Sequence, residues 1–120
     1  MRVEFNEALG IAEIWPEDAL TEDGFKAIAA TIDPWIENHG KLAGIIIATE
    51  KFPGWSSFGA LVSHVRFVRD HHRNLERVAL VTDSAIGDIA EDVADHFVAA
   101  KIEHFDFDEL DEARGWVASG

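Results

Sequence analysis

The chain contains no cysteine, which excludes disulfides and any zinc site built on thiolates. Proline is scarce, with 3 among 120 residues, and no Ser/Gly-rich or charge-block stretch forms a linker. No internal repeat occurs at the periods of solenoid folds. The longest apolar run, Ala43 to Ala48, is far short of the roughly 20 residues a membrane-crossing helix needs. The opening Met1-Arg2-Val3-Glu4 is followed by acidic residues and lacks the pattern of a signal peptide. Basic residues are few, 10 against 23 acids, for a net charge of −13. Such a balance repels phosphate backbones and anionic headgroups, which argues against nucleic-acid binding and against more than transient membrane contact. Arg66, Arg69, Arg73 and Arg77 form the single basic cluster, diluted by Asp70 and Glu76. These exclusions leave one domain over residues 1–120, expected in the cytoplasm, with 48% hydrophobic residues to build a core.

What is present alternates between strand and helix signals. Val3 to Phe5 and Ile11 to Trp15 alternate apolar and polar, as half-buried strands do, and Asn6 to Gly10 turns between them. Thr21 caps a helix whose apolar face is Phe25, Ile28, Ala29, Ile32 and Ile36, with Pro34 interrupting it and Gly40 stopping it. The continuous run Leu42 to Ala48 reads as a central strand covered on both faces. A second helix spans roughly Ser56 to Arg73, a strand Val78 to Val81, and a third helix about Ala85 to Ala100. A short strand, Ile102 to Phe105, and a last helix capped by Asp108 complete the chain. The order implies an α/β sandwich with a mixed, mostly parallel sheet of 4–5 strands, an antiparallel N-terminal edge and four helices.

Four stretches invite a chemical reading. Arg69-Asp70-His71-His72-Arg73 looks like a chelating cluster, but neighbouring helix positions are about 100° apart, so His71 and His72 diverge and no metal site is expected. On a helical wheel, Phe58, Leu61, Val62, Val65 and Val68 share one side, expected to face the core, with Arg69 and His72 joining it. Phe67 lies opposite, flanked by His64 and His71. Gly54-Trp55-Ser56-Ser57-Phe58 approaches the hydrolase elbow G-x-S-x-G, yet Phe58 replaces the last glycine. A small esterase is therefore the weakest reading, even with Asp83, His96 and His104 downstream, and Ser56 is expected to cap the helix. Phe52-Pro53-Gly54-Trp55 places two large aromatics on a loop at the carboxyl end of a central strand, where open α/β sheets put their sites. Thr82-Asp83-Ser84 ends another strand, and Asp83 is expected to cap the next helix rather than hold a cation.

F-P-G-W, the helix end F-V-R-D-H-H, the strand L-E-R-V-A-L-V-T-D and the tail H-F-D-F-D-E-L-D-E-A-R-G-W-V together resemble the SpoIIAA-like family of small bacterial proteins, over about residues 10–118. The resemblance implies a STAS-like fold, similar in topology to CRAL-TRIO (Sec14-like) domains, and it implies two roles. One is holding an apolar or amphiphilic small molecule or lipid between the sheet and the helices, with Phe52, Trp55, Phe67, Ile86, Ile89 and Phe97 lining or gating the pocket. The third helix is then the expected lid. The other is docking a regulatory protein partner, with Ser56 or Ser57 as the modifiable serine, although Trp55 stands where the family pattern has an acid. Neither role needs a cofactor or a catalytic group, and no complete catalytic constellation is present. The expectation is a non-enzymatic binding protein, with the apolar ligand as its leading cargo and a homodimer left open.

Overall fold

The computed structural model describes residues 1–84 and 98–120. Along the chain run β1 (Arg2–Asn6), β2 (Ile11–Trp15), α1 (Glu22–His39), β3 (Leu42–Ala48), α2 (Phe58–His71), a 3₁₀ turn (His72–Asn74), β4 (Leu75–Val81), β5 (Lys101–Phe105), a second 3₁₀ turn (Phe107–Glu109) and α3 (Leu110–Ala118). The strands lie in the order β1-β2-β3-β4-β5, with β1 antiparallel to β2 and all other pairs parallel. That is the expected sheet with its antiparallel N-terminal edge. Three α-helices stand among the described residues. The further helix expected over about Ala85 to Ala100 falls mostly on residues 85–97, outside them, together with Ile86, Ile89, His96 and Phe97, and residues 98–100 are not helical.

Strand alternation distributes the core over two layers. Ala12, Ile14 and Ile45 pack with Phe25, Ile28 and Ile32 of α1, while Ile11, Ile46 and Ala48 pack with Ala113 and Val117 of α3 on the other face. This is why LAGIIIA is apolar throughout: β3 is covered on both sides. Gly44 is set by the α3 layer. A Cβ there would run into Val117 Cγ1 and lie 2.6 Å from the carbonyl oxygen of Arg77, so the helix approaches the sheet this closely only over a glycine.

Two local readings are corrected by the fold. Pro34 does not interrupt α1, which is continuous. Its missing N–H removes the helical donor to the carbonyl of Ala30, and both residues are exposed, on the solvent side of the helix where such a loss costs least. The last helix is not capped by Asp108. The chain enters it through the second 3₁₀ turn, where the Glu109 carboxylate accepts the backbone N–H of Asp106 at 2.8 Å.

Candidate functional site

The F-P-G-W loop is tied down at both ends. Gly54 takes a positive φ of 79°, and the loop pairs with the segment before α1: Leu20 N–H donates to the Gly54 carbonyl and Ser56 N–H to the Leu20 carbonyl, both at 2.8 Å. The backbone N–H of Phe52 donates to Ser84 Oγ at 2.7 Å, which joins this loop to the one after β4. The Asp83 carboxylate accepts the N–H of Phe107 at 2.9 Å. Asp83 thus ties the loop after β4 to the turn before α3, and the helix it was expected to cap lies outside the described residues.

From that loop an aromatic chain runs along the α1–α2 interface. Phe52 and Trp55 meet edge to face at 5.0 Å, and Trp55 donates its indole N–H to His64 Nδ1 at 3.1 Å. The His64 ring stacks on Phe25 of α1 at 4.9 Å, Phe25 touches Phe67 at 6.0 Å, and Phe67 stacks on His71 at 4.2 Å. His71 Nε2 then reaches Asp33 Oδ1 of α1 at 2.7 Å while Nδ1 faces the Phe67 carbonyl at 2.8 Å. Burial lowers the pKa of His64, which suits its role as a neutral acceptor.

The structure therefore brings together Phe52, Trp55 and Phe67 of the expected ligand site, and it joins them through His64 and Phe25. Phe25 is legible in the sequence as part of the apolar face of α1 but not as a member of this cluster, and Asp33 is not singled out there as a member. The signal was available: the spacing of Phe25 and Asp33 on α1 nearly matches that of His64 and His71 on α2. Two concavities, of 300 and 400 Å³, lie elsewhere. The first sits between the β1–β2 hairpin and α3, beside Glu13 and Arg114, and the second beside Trp35 and His39. Neither is lined by Phe52, Trp55 or Phe67.

The same geometry shifts the packed side of α2. The face holding His64, Phe67 and His71 packs against α1. Of the side expected to meet the core, Leu61 and Val68 are half-buried, while the rest turns outward: Phe58 is 79% exposed, Val65 62% and Val62 37%. Arg69 is likewise exposed, at 68%, instead of turning toward the sheet. The wheel placed these residues together correctly but could not say which side the neighbouring helix would take. His72, by contrast, accepts the Ala99 N–H on Nδ1 at 3.0 Å, so the two adjacent histidines engage different elements and do not converge on an ion.

Ser57, not Ser56, is the N-cap of α2, its Oγ accepting the N–H of Ala60 at 3.1 Å. Both serines are exposed. The Glu22 carboxylate lies against Gly59 in the first turn, where a Cβ would collide with it. A carboxylate thus already occupies the positive end of this helix.

A family model described as SpoIIAA-like matches residues 11–118. The fold is similar to the crystal structure of an uncharacterized protein with a SpoIIAA-like fold from Shewanella loihica PV-4. The TM-score is 0.66 and the identity 17%, covering 89% of this chain and 81% of that one. None of the curated proteins compared matches the chain.

Proposed function

The chain belongs to the SpoIIAA-like family, and we propose that it is a non-enzymatic interaction module that docks a partner protein through the outward face of α2. A regulatory or binding module is the role that this fold supports. The observation that carries the finer reading is the exposed stripe Phe58–Val62–Val65, at helical positions i, i+4 and i+7 on a regular helix. Fully burying an exposed side chain of this kind is worth about 1.5–3 kcal/mol, so Phe58 and Val65 supply most of the anchor and Val62, 37% exposed, a smaller part. The face beneath them is fixed to α1 by the stacked rings and the His71–Asp33 contact, which presents the stripe on a rigid support. A phosphate on Ser57 would meet the carboxylate of Glu22, so switching by modification of that serine does not follow from the geometry. The test is to replace Phe58, Val62 and Val65 with serine together and compare complex formation in cell extract. A partner that wild type retains and the folded variant loses supports the reading, and equal retention by both refutes it.

A second reading keeps an apolar small molecule or lipid as the cargo. It rests on Phe52 and Trp55, which form a half-buried aromatic pair at the carboxyl end of β3. A native mass spectrum of the purified chain separates the two: a retained apolar ligand favours this reading, and a bare chain mass disfavours it.

A further inference from the structure

The outward face of α2 is not only apolar. At 100° per residue, Phe58, Val62, Val65 and Arg69 fall within one narrow arc, and Arg66 borders it. The first half of the helix therefore presents hydrophobes and the second half guanidinium groups. Arg73 continues the series in the 3₁₀ turn after the helix.

These cations differ from several others in the chain by standing together; Lys26, Lys51 and Lys101 likewise have no ion pair among the described residues, but each stands alone on a separate segment. Arg77 donates to the Trp116 carbonyl at 2.6 Å and lies over its ring, and Arg114 forms a two-pronged pair with Glu13 at 2.8 and 2.9 Å. Arg2 lies over Trp15, and Lys41 faces Glu76. By contrast, Arg66 and Arg73 have no ion-pair partner among the described residues, and Arg69 pairs with its exposed sequence neighbour Asp70, a contact of little net worth. In a chain of net charge −13, α2 concentrates uncommitted positive charge beside exposed apolar groups.

We propose that this face takes an acidic amphipathic helix of a partner protein. Its apolar side would lie on Phe58, Val62 and Val65, and its carboxylates on Arg66, Arg69 and Arg73. The inference rests on the docking reading and adds the partner's chemistry. Charge complementarity selects the occupant. Pairing two copies in parallel through this face would bring their arginines together with Asp70 as the acid of α2 to offset them. Pairing them antiparallel would lay the arginines of each over the apolar half of the other. A single short helix covers only this face, whereas an anionic membrane or a nucleic acid extends its charge past it and meets more of the acidic remainder of the chain.

Three synthetic amphipathic helices, identical in length and leucine positions but with Glu, Gln or Lys on the polar face, test it by fluorescence anisotropy against the full chain. The Glu peptide is expected to bind roughly tenfold more tightly than the Gln peptide, to weaken with added salt, and to lose to the Lys peptide in the Arg66→Glu/Arg69→Glu variant. Circular dichroism melting establishes that the variant is folded. Equal binding of the Glu and Gln peptides overturns the acidic partner while leaving the docking face intact. Binding of no peptide overturns both. Unchanged binding in Phe58→Ser/Val65→Ser overturns the assignment to this face. Self-association that the same serine variant abolishes assigns the face to a second copy, and binding to vesicles of anionic lipid with no peptide preference assigns it to a membrane. Either result overturns the proposal.

Discussion

Trp55 donates its indole N–H to Nδ1 of His64 across 3.1 Å, a bond that the imidazole accepts only with that nitrogen unprotonated. The pair fastens the F-P-G-W loop to the middle of α2, and the His64 ring passes the contact on to Phe25 of α1. Loop, second helix and first helix are thus one packed unit.

His64 makes stability depend on pH. Burial lowers its pKa below the usual 6.5, so the unfolded chain takes up a proton before the folded one does. Its contribution is complete above that value and declines as pH falls through and below it. Chemical denaturation as a function of pH should show stability falling on the acid side of 6.5, and His64→Phe should flatten that part of the curve. The same variant keeps a ring on Phe25 but orphans the Trp55 N–H, at a cost of about 1–3 kcal/mol at pH 8.

Gly44→Ala should be among the most damaging small changes in the chain. The added methyl meets Val117 Cγ1 and the Arg77 carbonyl, and neither the helix nor the strand can withdraw without loosening the α3 layer. Thermal melting should show a loss of about 1–3 kcal/mol, the range of core overpacking.

Ser57→Ala should cost about 1 kcal/mol, because its hydroxyl caps α2, whereas Ser56→Ala should leave stability within about 0.5 kcal/mol. Melting curves of the two variants side by side check both the cap and its position.

Much of the fold was legible in the sequence. The apolar run Leu42 to Ala48 announced a strand covered twice, and the alternation at Ile11 to Trp15 announced its neighbour. Thr21 and Gly40 marked the ends of α1. The α2 face was not legible for a physical reason. Periodicity weighs Phe58, Val62 and Val65 above His64 and His71, but an imidazole ring laid flat on Phe25 or Phe67 buries as an aromatic does. Only the position of α1, supplied by the tertiary fold, decides between the two sides. The cap shifted by one residue for a similar reason: both serines suit the position, and the pairing of Ser56 N–H with Leu20 holds that residue in the loop.

Removing the exposed stripe should not weaken the isolated protein. Phe58→Ser and Val65→Ser take away side chains that are 79% and 62% exposed, so melting temperatures should stay within the range of surface substitutions, about 0.5 kcal/mol. Solubility should rise as the apolar patch shrinks.

The central claim is that this stripe is covered by another protein in the cell. Photocrosslinking in living cells tests it most directly, with a benzophenone amino acid placed at Phe58 or Val65 and, as a control, at the exposed Asn38 of α1. The account predicts one discrete protein adduct from both stripe positions and none from the control. No adduct from the stripe, or the same adducts from all three positions, would contradict it.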